Sequence, residues 1–114
     1  MPYIDAAVSK KLTAEETNAL KVEFGKAISL FPGKSEAWLM CGIESGRSLW
    51  FQGNDDLPAA FVEVKLFGGV DDNAAERFTQ HICHVFEQRF GIPSNRVYIR
   101  YEGGTCWGWN GSNF

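Results

Sequence analysis

The residue with the most chemical potential for its place is the second one, in Met1-Pro2-Tyr3-Ile4. A small residue there lets Met1 be removed, which would leave Pro2 carrying a free secondary amine. An amine that loses solvation or feels a nearby cation has its charged form disfavoured, so it can act as base or nucleophile near neutral pH. The plainer reading is that proline is a common residue and that position 2 carries no chemistry. His81 and His84, three apart on one helix, are the other titratable pair. No third ligand is evident and both flank or oppose the apolar stripe, so neither a metal nor a cofactor is expected. Cys41, Cys83 and Cys106 are odd in number and lack a Cys-x-x-Cys spacing, which reads as reduced thiols in a cytosol-like compartment. Gly68-Gly69 and Gly103-Gly104 lack the strand-loop-helix context of a phosphate cradle and read as turns.

The elements that must position Pro2 follow from periodicity. Ile4, Ala6 and Val8 alternate with Tyr3, Asp5 and Ala7 as a strand. Thr13-Ala14-Glu15-Glu16 has capping-box spacing, and Leu20, Phe24, Ala27, Ile28 and Phe31 then recur on one helical face until Pro32-Gly33. A second strand is expected over 37–43 and a short one near 48–51, before a polar loop to Pro58. Sliding the chain by 58 residues sets Ile4 on Val62, Phe24 on Ile82, Ile28 on Phe86, Gly33 on Gly91 and Leu39 on Val97. The second helix is expected from about Asn73, in capping-box spacing with Glu76, to Phe90. Its stripe is Phe78, Ile82, Val85 and Phe86. The last long strand is expected over 96–101. Gly103-Gly104 turns the chain before Trp107, Trp109 and Phe114 close it.

The chain therefore reads as one α/β (α+β) domain over 1–114, with two βαβ repeats near 2–44 and 60–102. These would form a four-stranded mixed sheet with both helices on one face. The face opposite the helices would carry Tyr3, Trp38, Met40, Phe61 and Phe67 among Asp5, Glu63, Lys65 and Arg100. That mixture is too apolar for water and too charged for a dry core, and it implies a subunit interface. A chain of 114 residues with net charge −3 and 45% hydrophobic content supports one modest core. With no basic stripe, nucleic acid is not expected as a partner. Lys10 and Lys11 break up the short apolar start, so neither a signal peptide nor membrane insertion is expected, and Asn110-Gly111-Ser112 is read as a turn.

Met1-Pro2, Gly33-Lys34, Gly68-Gly69, Arg96-Val97-Tyr98-Ile99 and the closing Gly108-Trp109-Asn110-Gly111-Ser112-Asn113-Phe114 occur in an order that resembles the tautomerase superfamily. Within it the likeness is to the macrophage migration inhibitory factor and D-dopachrome tautomerase group. The resemblance implies a tautomerase-like fold and a homotrimer with active sites at subunit boundaries. It also implies keto–enol tautomerisation with Pro2 as catalytic base. It puts Lys34 on the substrate carboxylate, where it also depresses the proline pKa. Val64 would line the pocket through its backbone, and Tyr98 of the adjacent subunit would contact the enol oxygen. Trp38 stands where the family often has tyrosine, and Trp107, Trp109 and Phe114 match the apolar rim.

The chain departs from the pattern in three respects. Arg100 replaces an asparagine; it would either grip a carboxylate bidentately or pair with Glu63 or Asp5 across the interface. Asp56 and Ala59 occupy the cysteine positions of the thiol-redox motif, so no oxidoreductase activity is expected. Leu12 and Gly46 replace the arginine and aspartate linked to chemokine-receptor binding. The activity implied is isomerisation of a small aromatic α-keto acid such as phenylpyruvate, or a dopachrome-like substrate, with a cytoplasmic location. The alternative is a cytokine-like binding module with weak or vestigial activity, released without a signal peptide toward a host or cell-surface receptor. A purely structural trimer is the third reading.

Overall fold

The computed structural model describes residues 1–114. Strand β1, Pro2–Val8, alternates buried and partly open residues, and β3, Ala60–Phe67, does the same. Both strands are central: the sheet order is β2-β1-β3-β4, with β2 at Met40–Ser45 and β4 at Val97–Gly104. β1 pairs parallel with β2, β3 pairs parallel with β4, and β1 and β3 run antiparallel, so the sheet is mixed. A short hairpin of β5, Gly108–Trp109, and β6, Ser112–Asn113, follows.

Helices α1, Ala14–Ala27, and α2, Asp72–Phe90, cover one face of the sheet. Ile4, Ala6, Val8, Val62, Val64 and Leu66 meet Leu20, Phe24, Ile28, Phe78, Ile82 and Phe86 in one continuous core. Leu39, Cys41, Ile43, Val97, Ile99 and Tyr101 are only partly buried against it, because they lie on or beside the two outer strands. Phe31, Phe78 and Tyr101 form an aromatic cluster with ring centroids 5.6 to 6.0 Å apart. The Tyr101 hydroxyl shares a 2.6 Å hydrogen bond with Thr79 and donates to the Ala75 carbonyl at 3.0 Å, tying α2 to β4.

Helix α1 starts as its sequence predicts. The Glu16 N–H donates to the Thr13 hydroxyl at 3.1 Å and the Thr13 N–H to the Glu16 carboxylate at 3.0 Å. Helix α2 starts earlier than Asn73: Asp71 is the cap, its carboxylate accepting from the Ala74 N–H at 2.9 Å. A charged acceptor at the cap also suits the helix dipole. At the other end Gly91 takes the left-handed conformation, φ 67°, and the Lys10 ammonium donates to the Phe90 carbonyl at 3.0 Å.

Three further expectations are corrected. The second strand begins at Met40 rather than residue 37, and Glu36–Trp38 is a 3-10 turn. Pairing with β1 starts at Tyr3 opposite Met40; the next residue outward is Pro2, which has no N–H to donate. Residues 48–51 form no strand, only a bridge between Phe51 and Asn54 across a turn where Gln52 has φ 53°. Arg96 closes a 3-10 turn, Ser94–Arg96, before β4, which runs on through Gly103-Gly104 instead of turning there. Gly104 bridges Gly68 by two hydrogen bonds of 2.8 and 2.9 Å. No helix is long and apolar enough to cross a membrane.

Candidate active site

The open end of β1 is where the chain gathers its chemistry. Pro2 is buried at the first position of the strand, where a missing N–H costs no ladder bond. Just before it, the Phe67 N–H donates to the Met1 carbonyl at 3.0 Å and fixes the direction of the N-terminal peptide. A cleft of about 660 Å³ opens there. Its walls are Pro2 and Tyr3 of β1, the segment from Ala37 to Met40, Lys65 of β3, and Trp107 to Trp109 at the C-terminal hairpin. Trp38 and Trp109 meet edge to face with centroids 5.3 Å apart. Phe114 lies on Phe67 at 4.9 Å, and its N–H donates to the Trp107 carbonyl at 3.2 Å. These contacts fix an apolar, aromatic wall of the kind that accepts flat rings.

The electrostatics at this end favour a neutral amine. Burial lowers the pKa of the N-terminal amino group below its ordinary value of 8.0, and the Lys34 ammonium lowers it further. Lys34 is held in place: its ammonium donates to the Phe67 carbonyl at 2.8 Å and lies 5.9 Å from that residue's ring. Phe67 therefore binds the Met1 peptide through its N–H and Lys34 through its C=O. The amine carried by Met1 in this structure stands one peptide unit ahead of the Pro2 nitrogen.

The family model "Macrophage migration inhibitory factor (MIF)" matches residues 1–114. The chain belongs to the MIF family. A MIF homologue of Trichuris trichiura is 34% identical over 94 residues, covering 78% of this chain and 79% of its own. The crystal structure of Leishmania major MIF2 superposes with a TM-score of 0.90 at 30% identity, covering 100% of this chain and 97% of that one. The MIF homologue from Prochlorococcus marinus gives 0.85 at 35% identity, with 98% of each chain covered.

Of the residues that the MIF resemblance singles out, the structure brings Pro2, Trp38, Trp107 and Trp109 to one cleft, with Phe114 packed beside it. Lys34 does not line that cleft; it borders a separate depression of about 330 Å³ with Phe31, Pro32 and Leu66. Val64 is fully buried in the core, its side chain turned from the cleft toward the helices. Tyr98 and Arg100 are on β4, separated from β1 by the whole of β3, so one chain does not bring them to Pro2. Tyr98 is 60% exposed, with its ring edge to face on Phe51 at 5.4 Å. Arg100 is exposed and donates to the Tyr101 carbonyl; it stands opposite Glu63 in the register, while Glu63 pairs with Lys65.

His81 faces Glu23 at 3.4 Å, next to Arg89, and no three His, Cys, Asp or Glu side chains converge as a metal site would need. Two charged residues take places that their local sequence does not mark. Lys65 lines the Pro2 cleft, and the alternation Glu63, Lys65, Phe67 marks its face but not its place opposite Tyr3, which only the antiparallel register gives. Arg96 is the other, the one buried charged residue.

Proposed function

We propose that this MIF-family chain is a keto–enol tautomerase of phenylpyruvate-like aromatic α-keto acids, with Pro2 as general base once Met1 is removed. The observation that carries the reading is an amine end whose charged form is disfavoured by burial and by Lys34, set in an apolar cleft walled by tryptophans. In the proposed step the neutral Pro2 amine takes the proton from the carbon next to the keto group. The electron pair left behind forms the enolate, whose oxygen is then protonated to the enol. The aromatic wall holds the substrate ring and excludes water, which strengthens the electrostatics of the step.

A homotrimer is part of the proposal, because Tyr98 and Arg100 reach a Pro2 cleft only from a second copy. There Tyr98 would donate to the enolate oxygen. The sheet face that would mediate assembly leaves Met40, Phe61 and Tyr98 open to solvent in a single chain. The test is the rate of enol-to-ketone conversion of phenylpyruvate by protein whose intact mass shows Met1 removed. Pro2→Gly should lose most of the activity while circular dichroism is unchanged. Unaltered kcat/KM in that variant would reject Pro2 as the base. No turnover by the Met1-free parent would favour the binding-module reading instead.

A further inference from the structure

Arg96 is buried, yet the groups that hold it are neutral. Its guanidinium donates to the Pro58 carbonyl and to the side-chain and main-chain oxygens of Asn54, at 3.0 to 3.3 Å, with the Phe51 ring 5.6 Å away. A cation taken out of water and met only by neutral dipoles is a poor source of stability; what it supplies is the fixed geometry of its fork. That fork moors a segment without a strand of its own. Phe51 and Asn54 exchange hydrogen bonds of 2.9 and 3.2 Å across a turn in which Gln52 and Gly53 have φ of 53° and 82°, and Arg96 ties Asn54 to the start of β4. Phe51 in turn meets Tyr98 edge to face at 5.4 Å. Phe61, the register partner of Tyr98 on β3, meets the same ring at 6.5 Å. The sheet places Phe61, whereas Phe51 depends on the mooring.

We infer that Arg96 is a positioning residue of the shared site: acting through Phe51, it holds the Tyr98 ring in the orientation that the Pro2 cleft of a second copy receives. The inference rests on the tautomerase reading and adds to it two residues, Arg96 and Phe51, that lie outside the cleft. Arg96 and Tyr98 are two apart in sequence, so one stretch of chain carries both the clamp and the ring that it steadies. A side chain ordered before it docks loses less freedom on docking, and a group misplaced by about 1 Å can cost roughly a hundredfold in rate. Released from Phe51, the 60% exposed Tyr98 keeps Phe61 on β3 but gains room to turn. The cost of that freedom falls on the copy whose Pro2 the ring serves.

The test uses Met1-free parent, Arg96→Met, Phe51→Leu and Tyr98→Leu proteins, with circular dichroism and sedimentation as checks on fold and assembly. Phe51→Leu leaves the Arg96 hydrogen bonds in place and serves if Arg96→Met folds poorly. Each of the two should lower kcat/KM for phenylpyruvate roughly tenfold, mainly through KM, and the double variant should lose no more than either alone. In Tyr98→Leu, which has no ring to hold, Arg96→Met should change nothing further. Losses that multiply, or that persist in Tyr98→Leu, would overturn the inference, because a general loosening of the fold acts in any background. Mixed trimers locate the effect. Refolding Arg96→Met chains with an excess of Pro2→Gly chains sets each intact Pro2 beside a steadied Tyr98, and kcat/KM per intact Pro2 should rise toward the parent value. No rise would put the effect in the subunit that bears Arg96 and overturn the inference. Fluorine NMR of 3-fluorotyrosine at Tyr98 needs no turnover: its signal should shift and change width in Arg96→Met and Phe51→Leu alike, while that of Tyr101 stays. If the parent is inactive, or Pro2→Gly keeps full activity, the tautomerase reading fails and this signal still decides: a changed Tyr98 resonance supports the clamp on the ring, and an unchanged one overturns it.

Discussion

Replacing Arg96 should unfasten the segment between β2 and β3. Arg96 is 8% exposed, and its guanidinium makes three hydrogen bonds into that segment: Nε to the Pro58 carbonyl at 3.2 Å, and the two terminal nitrogens to the Asn54 side-chain oxygen at 3.3 Å and the Asn54 carbonyl at 3.0 Å. It also lies 5.6 Å from the Phe51 ring, which in turn meets Tyr98 edge to face. Hydrogen bonds to a charged group are worth about 1.5–3 kcal/mol each. Three sharing one guanidinium do not add, and a surface segment regains water when released. Arg96→Ala should therefore cost about 3 kcal/mol, and Arg96→Lys, which keeps the charge but not the planar fork, about half of that. The control is Arg47→Ala, which removes only an exposed pair to Glu44 at 3.6 Å and should cost about 1 kcal/mol or less. Urea unfolding at one fixed protein concentration, followed by circular dichroism, measures all three. Amide exchange over residues 48–58 should speed up in Arg96→Ala. An Arg96→Ala cost no larger than that of Arg47→Ala would refute the clamp.

Because the base must be uncharged to accept a proton, kcat/KM should rise with pH as the Pro2 amine loses its proton, and Lys34→Met should move that midpoint upward, since the Lys34 ammonium disfavours a charged amine at this end of the chain. A midpoint that stays or falls would remove Lys34 from the electrostatics of the amine. Gly103→Ala should destabilise the chain by about 1–3 kcal/mol in urea, since an added Cβ would come within 2.5 Å of the Gly68 carbonyl oxygen, a backbone atom with little room to yield. Alkylation at mild alkaline pH, read by peptide mass, should label exposed Cys106 first. Burial and Asp5 push the Cys41 thiol up to about 11, and burial and Glu87 push Cys83 up as well. Sedimentation at micromolar concentration should show a trimer, and removing residues 107–114 should weaken assembly together with activity; a monomer throughout would defeat the shared-site proposal.

What the sequence discloses here depends on how local the cause is. The Thr13–Glu16 box and the Gly91 cap are set by neighbours within one turn of chain, and both are legible. The four strand faces are legible too, because period-two alternation in Ile4, Ala6, Val8 and in Val62, Val64, Leu66 is imposed by a core on one side only. Helix α2 shows the limit. Asn73 and Asp71 are both good caps by type, and the choice falls to whichever side chain the incoming turn aims at a free N–H. The alternation of Trp38, Met40 and Gly42 predicts a strand that includes Trp38, yet a strand needs a partner, and β1 has none to offer beyond Tyr3. Lys65 and Arg96 escaped for a related reason. Each is a charge whose role comes from residues far along the chain, Tyr3 and Trp107 for one, Asn54 and Pro58 for the other.

The same distinction explains why the proposed site reads as half complete in one chain. Everything that acts on the amine is local to the open end of β1: Phe67 ties Met1 and Lys34 together, and the C-terminal hairpin supplies the wall. Everything on the outer face of β4 points away from it. Tyr98 and Arg100 project from a strand whose far edge has no partner, on a face that also leaves Phe61 open. A large aromatic left 60% exposed gains little where it is in a lone chain, since burying such a side chain is worth about 1.5–3 kcal/mol. Arg96 nonetheless fastens Phe51 against that ring from behind, which costs conformational freedom in the segment that carries it. Holding an exposed aromatic in this way also lowers the ordering cost of anything that docks on it. Under the proposed assembly, that something is the Pro2 cleft of a second copy, and the clamp at Arg96 would then be felt in the KM of a neighbour rather than in its own subunit.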